Sequence, residues 1–218
     1  NEKEALLKEV HHRVKNNLQV IMSLLRLEGG RTAAEATKLV LRDMQGRIRS
    51  MALLHEALYR SGNYARVDLA EYLRDLVTQL FRAQSVDPAG VRLVLDLSRV
   101  RLDIDRAIPC GLIVNELVTN SLKHAFASGR QGEVSVSLER DSSGRARLSV
   151  SDTGPGLPED FDARRSKSLG MQLVGDLSRQ LGGQLEIRPG PGASFSVIFP
   201  APDGFDIEQE DQPAGRGI

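Results

Sequence analysis

Two adjacent histidines, His11 and His12, lie in the segment LLKEVHHRVKNNLQVIMSLL. At 100° per residue, the apolar stripe of Leu7, Val10, Val14, Leu18, Ile21 and Leu25 puts His11 roughly 60° and His12 roughly 160° from its centre. His12 is therefore expected on the polar face, with Glu9 and Asn16 one turn to either side. A solvent-facing imidazole is mostly neutral at neutral pH, because its ordinary pKa is about 6.5. Such a ring is a competent nucleophile for a phosphoryl group, and a solvated surface histidine is the plain alternative. His11 reads as a rim residue, and His55 sits in the seam of the next helix.

Three further segments carry groups suited to a nucleotide. In Asn115-Glu116-Leu117-Val118-Thr119-Asn120, Glu116 and Asn120 share one helix face. A carboxylate and an amide oxygen side by side suit a hydrated Mg²⁺, which takes few protein ligands. In Ser151-Asp152-Thr153-Gly154-Pro155-Gly156, the Asp152 carboxylate can accept from an exocyclic amino group, and Gly154 and Gly156 let backbone approach a ligand. Ser166-Lys167-Ser168-Leu169-Gly170-Met171 precedes a helix, and a helix N-terminus with Ser, Lys and Gly nearby favours anions. Taken singly, these segments also read as a polar helix face, a Gly/Pro turn and a helix cap. Gly190-Pro191-Gly192 reads mainly as a tight turn.

The elements that must position these groups follow from periodicity. Residues 1 to about 60 contain no Pro and follow two heptad-like seams: Leu7, Val10, Val14, Asn17, Ile21, Leu24, then Leu41, Met44, Ile48, Met51, His55, Leu58. Gly29-Gly30 is expected to end the first helix, with Thr32 and Glu35 as a capping box for the second. Such a hairpin buries too little alone, so pairing with a second copy into a four-helix bundle is expected. A monomer remains open, with Leu69–Ala83 covering part of the seam. Beyond a break at Ser61-Gly62-Asn63, helices and strands alternate in the order α-β-α-β-β-α-β-β. The fold class is α+β: a helical hairpin, then helices on one face of a mixed sheet. The expected domains are 1–62, 63–200 and an acidic, disordered tail, 201–218.

The 218 residues carry 29 Lys+Arg and 29 Asp+Glu, a zero net charge that argues against a bulk nucleic-acid binder. The balance is uneven: residues 1–66 hold 12 basic and 7 acidic groups, and 201–218 hold 1 and 5. The basic hairpin suits docking of an acidic partner, a solvated helix surface being the bland alternative. The single cysteine, Cys110, excludes an internal disulfide and fits a reducing, cytoplasmic setting. No apolar run is long enough to span a membrane and no signal peptide is evident. Beginning at Asn1 in mid-helix, the chain is expected to be a fragment lacking an upstream sensor.

In order and spacing these segments resemble a family. VHHRVKNNLQVIMSLL is similar to the phosphoacceptor segment of sensor histidine kinases whose dimerisation domain is of the second HisKA type. LIVNELVTNSLKHAF resembles their N-box, SDTGPGLP and SLGMQLV their two glycine boxes, and GPGASFSVIFP the closing strand of their Bergerat-type (GHKL) ATP-binding domain. The resemblance covers residues 1–200. It implies His12 as phosphoacceptor, Asn120 and Glu116 as the Mg²⁺ and water residues, and Asp152 as the adenine-recognising carboxylate. It implies Gly154, Gly156 and Gly170 as glycines shaping the nucleotide lid, with Lys123 and His124 near the phosphates. Ser168 stands where the second box usually has a glycine, and Ala193 where Gly-Thr is common. Arg13 follows the phosphoacceptor where an acidic residue is frequent, which leaves Glu9 as the candidate general base. Asn115 and the absence of Trp set the chain apart from the related HWE group.

The implied activity is ATP-dependent autophosphorylation of His12 and transfer to an aspartate of a response-regulator receiver domain. A nucleotide-binding pseudokinase scaffold and a gyrase- or chaperone-type ATPase switch are the alternatives.

Overall fold

The computed structural model describes residues 2–61, 66–83, 90–126, 130–161 and 168–201, with the side chains of all but 2–8, 11–12, 57–61 and 83. Two long helices open the chain, α1 (Glu2–Arg31) and α2 (Glu35–Ser61). The helix α1 runs through Gly29 and Gly30 to Arg31, so the glycines do not end it as expected. Nor does the capping box close: Glu35 accepts from Lys38 Nζ at 2.7 Å, an i,i+3 pair on its own helix.

Within the single chain, the hairpin covers only part of the expected α1 seam. Val14, Leu18, Met22 and Leu25 are half-buried, whereas Val10, Ile21 and Leu24 are exposed. On α2, Met44 is exposed while Leu53 and Leu54 are buried. The open residues of both helices therefore remain available to a further apolar partner.

The rest of the chain builds a helix-on-sheet layer. Next come β1 (Val67–Asp68), α3 (Leu69–Ala83), β2 (Val91–Leu97), β3 (Arg101–Leu102) and α4 (Ile104–Asn120). A π-turn, Ser121–Ala125, extends α4. Then follow β4 (Gly132–Arg140), β5 (Arg145–Asp152), α5 (Leu169–Gln180), β6 (Gln184–Pro189) and β7 (Ala193–Pro200). The five-stranded sheet runs β2-β4-β5-β7-β6, with β2 parallel to β4 and the other pairs antiparallel. Alternation along β4, β5 and β7 turns Val134, Val136, Leu138, Leu148, Val150, Val197 and Phe199 into the core. The hairpin β4–β5 turns on Asp141, whose carboxylate accepts from Ser143 N–H at 2.9 Å and Arg145 N–H at 3.0 Å. The short strands β1 and β3 pair antiparallel, an element the sequence reading missed.

Helix α3 starts where Asp68 accepts from the N–H groups of Ala70 and Glu71. It packs against both α2 and α4. Tyr72, fully buried, donates its hydroxyl to the Ser50 carbonyl of α2 at 3.0 Å. Gly111 of α4 makes room for that ring, since a Cβ there would lie 1.9 Å from the Tyr72 hydroxyl oxygen. The hairpin is thus anchored to the helix-on-sheet layer through α3.

Cys110 is buried in this core, and burial pushes its thiol up to about 12. The sign follows directly: the unfolded thiol ionises first, so native stability is full below about pH 9 and declines as pH rises towards 12. Alkylation at pH 8 should therefore proceed only with denaturant present. Rapid labelling of the native chain, followed by mass spectrometry, would contradict this packing.

Candidate active site

The long helix α4 carries the first half of the site. Asn115, Glu116, Thr119, Asn120 and Lys123 fall at 3–4 residue spacing and form one stripe along it. That stripe faces α2 across a cleft of about 420 Å³, which Met22 and Arg26 of α1 also line. Asn120 Nδ2 reaches Met171 Sδ of α5 at 3.7 Å, so the N-terminus of α5 closes over the stripe.

The π-turn begins one residue beyond Asn120. Widened turns of this kind re-aim side chains within a helix and recur at functional sites. Here Ser121 donates its hydroxyl to Asp152 Oδ2 at 2.8 Å. Asp152 ends β5, and its Oδ1 accepts from Gly154 N–H at 2.9 Å and Ala193 N–H at 3.3 Å. A carboxylate offers about four acceptor positions, so one remains for a ligand's amino group.

The glycines are explained by close approach. A Cβ on Gly154 would meet Ala125 Cβ at 2.4 Å, and one on Gly170 would meet Glu116 Oε2 at 2.6 Å. Gly156 adopts φ +85°, a left-handed conformation that favours glycine. Its missing Cβ leaves space for the Gly190 carbonyl, 2.6 Å from that position. The turn Gly190-Pro191-Gly192 therefore belongs to the site: it supports Gly156, and through Ala193 it supports Asp152. The GPG sequence signals a turn, and only the β5–β7 pairing shows what the turn packs on.

Other candidates stand differently. Ser168 is the N-cap of α5, its Oγ accepting from Met171 N–H at 3.5 Å. His124 is exposed on the π-turn and does not line the cleft. Glu9 accepts from Arg13 Nε at 2.7 Å, both side chains being exposed. A surface pair of this kind is weak, so Glu9 is only loosely held. His12 lies in α1, and its side chain is outside the described set. Most of the expected lid, 162–167 within 157–167, lies outside the described residues, as does the tail from 202 onward.

Two partners of the N-box were not anticipated. Arg47 of α2 donates Nε to Glu116 Oε1 at 2.8 Å and Nη2 to Oε2 at 2.9 Å. Asp43, one turn earlier, accepts from Lys123 Nζ at 2.6 Å. The hydrogen bond to Glu116 raises the Arg47 guanidinium further above its ordinary pKa, outweighing the opposing effect of burial. Nothing in the seam pattern marked either residue, because both lie off the apolar positions. Only their i,i+4 opposite charge was visible.

Whether the residues fit a Mg²⁺ ion can be tested on these bonds. No cluster of three or more His, Cys, Asp or Glu side chains that could hold a metal occurs among the described residues. Mg²⁺ needs only one or two protein oxygens beside phosphate and water. Asn120 is half-buried on the cleft with its amide nitrogen turned to Met171, which suits such a role. Glu116 suits it only when released from Arg47.

Comparison with known proteins agrees with this architecture. Residues 9–84 match the model of a family described as "Histidine kinase". Residues 105–203 match that of the "Histidine kinase-, DNA gyrase B-, and HSP90-like ATPase". Sensor histidine kinase PdtaS of Mycobacterium tuberculosis is 37% identical over 205 residues, covering 93% of this chain and 40% of that protein. Blue-light-activated histidine kinase 2 of Erythrobacter litoralis is 28% identical, over 89% of this chain and 56% of its own length. The chain thus spans about two-fifths to just over one-half of these relatives. Among solved structures, the histidine kinase domain of the Erythrobacter litoralis EL346 blue-light activated kinase shares the fold, with TM-score 0.70 at 23% identity over 92% of this chain and 95% of that one. No described helix is long and apolar enough to cross a membrane. With a helical kinase segment leading into an ATPase layer that gathers Asn120 and Asp152, the chain belongs to the sensor histidine kinases.

Proposed function

We propose that this chain binds ATP between α4 and the β5–α5 segment and transfers the γ-phosphoryl group to His12. One observation carries the reading: Ser121, the residue after Asn120, donates to Asp152, so the helical segment that carries the phosphate-side Asn120 also braces the adenine-side carboxylate. Asp152 accepts from the adenine amino group, and its remaining lone pair is the position that does so. A Mg²⁺ ion bound with the triphosphate would neutralise charge there, with Asn120 and a released Glu116 as its protein ligands. The His12 ring nitrogen forms a bond to the γ-phosphorus as the bond to the bridging oxygen of ADP breaks, and ADP leaves. The imidazole proton passes to a base, for which Glu9 stands one turn away along α1. The phosphohistidine then donates the group to an aspartate of a receiver domain.

The exposed apolar residues of the hairpin, Val10, Ile21, Leu24 and Met44, support a homodimer as the working form. The domain division 1–62, 63–200 and 201–218 fits this division of labour. The fate of the γ-phosphate separates this reading from its rivals. Incubation with γ-labelled ATP should give acid-labile, base-stable label on the protein. Nucleotide binding without label would favour a scaffold, and steady phosphate release without stable label an ATPase switch.

A further inference from the structure

The charges that α2 sets against α4 are crossed. Asp43 and Arg47 lie one turn apart on α2, and Glu116 of α4 lies two turns before Lys123, on the π-turn that continues that helix. The earlier residue of each helix meets the later residue of the other, so the two helices run antiparallel where they touch. Gly46 sits between the two pairs and lets the helices close: a Cβ there would lie 3.3 Å from Asn115 Oδ1. The Asn115 amide nitrogen donates to Glu116 Oε1 at 3.2 Å. Arg47 occupies both carboxylate oxygens, and Gly170 packs against Oε2. Glu116 is left 9% exposed and Arg47 19% exposed.

Glu116 and Lys123 are the two charged residues of this helical segment assigned above to nucleotide handling. We propose that Asp43 and Arg47 form a latch that withholds Lys123 and Glu116 from the nucleotide, so that the hairpin competes with Mg-ATP for these side chains in the resting packing. The proposal rests on the reading of α4 as the nucleotide helix. Two observations support a resting arrangement rather than a catalytic one. First, the α1 residues lining the cleft beside Asn120 are Met22 and Arg26. His12 lies ten residues before Met22, about 15 Å along the helix axis. Bringing the chain's own His12 to a nucleotide at Asn120 requires the ATPase layer to move along the hairpin, which breaks both pairs. Second, Arg26, Arg42 and Arg49 also line the cleft. An arriving triphosphate therefore meets a cationic surface beside a Glu116 and a Lys123 that are still paired with α2.

The residues are positioning groups, so the test reads binding as well as rate. Mg²⁺-dependent affinity for a non-hydrolysable ATP analogue is measured by calorimetry on the full chain, with thermal unfolding as the control for folding. Arg47→Met should tighten that affinity about tenfold, the factor a partly buried charged hydrogen-bonded pair supplies, and lower the KM for ATP equally without lowering kcat. Arg47→Lys should fall between, and Asp43→Asn, which leaves the Glu116 pair intact, should give a smaller gain. Removing a cation near a triphosphate weakens binding by charge alone, so tightening carries the opposite sign from a trivial effect. Unchanged or weaker affinity in Arg47→Met would overturn the latch. Glu116→Gln separates the two ideas. If it weakens Mg²⁺-dependent binding while Arg47→Met fails to tighten it, the latch fails and the site stands. If Glu116→Gln leaves that binding untouched, the reading of the site fails and the latch with it.

Discussion

Asp152→Asn should cut ATP affinity about a hundredfold, as a charge-assisted hydrogen bond contributes about 1.5–3 kcal/mol. The loss comes from two directions. The adenine amino group needs an acceptor, and Asp152 has one position free after Ser121, Gly154 and Ala193 have taken three. An asparagine replaces one oxygen by an NH₂ group, which faces either the backbone donors or the ligand's own amino group. Either orientation opposes two donors. Because β5 is held by seven registered pairs with β7, the sheet itself should persist, and the circular dichroism spectrum should match the parent's. Calorimetric titration with ATP reads the effect. Parent-like affinity would remove Asp152 from adenine recognition.

Gly192→Ala should be the most destabilising single-methyl change among the glycines of this turn. A Cβ at residue 192 would lie 1.8 Å from the Asp152 carbonyl oxygen and 2.9 Å from its carbon. Those are backbone atoms of a sheet strand and cannot swing aside. Overpacking of this kind costs roughly 3 kcal/mol, which lowers the melting temperature of a domain this size by roughly 10 °C. Gly190→Ala supplies the contrast, since its nearest neighbour stands at an ordinary 3.8 Å. Thermal unfolding of the two variants should therefore diverge although they sit two residues apart. Equal melting temperatures would mean that the turn does not press on Asp152.

Much of this arrangement was legible in the sequence, for physical reasons that differ by element. The alternation in Glu133–Glu139 and Ser194–Phe199 exposes a half-buried sheet directly, because a period of two has one structural meaning. Asp152 and its glycines read singly as an ordinary Gly/Pro turn, and became legible only through their order and spacing with the other two segments. The hairpin was less so. Leu7, Val10, Val14, Ile21 and Leu24 satisfy a heptad seam, yet Val10, Ile21 and Leu24 face outward. A helix nearly apolar on two sides does not declare which side meets its neighbour. Gly29-Gly30 looked like a terminus, but α1 continues through it, since two glycines cost a long packed helix only about 2 kcal/mol. Arg47 and Asp43 were invisible as site residues. Their partners lie 69 and 80 residues away in sequence, and nothing local marks such pairs.

Peptide mapping decides whether His12 carries the phosphoryl group. After incubation with γ-labelled ATP and Mg²⁺, the phosphorylated residue is located by mass spectrometry under conditions that preserve phosphohistidine, in the parent, His11→Ala and His12→Ala proteins. Phosphate is expected on His12 in the parent and in His11→Ala, and none in His12→Ala with nucleotide affinity unchanged. Phosphate persisting in His12→Ala, or mapping to another residue of the parent, would contradict that assignment.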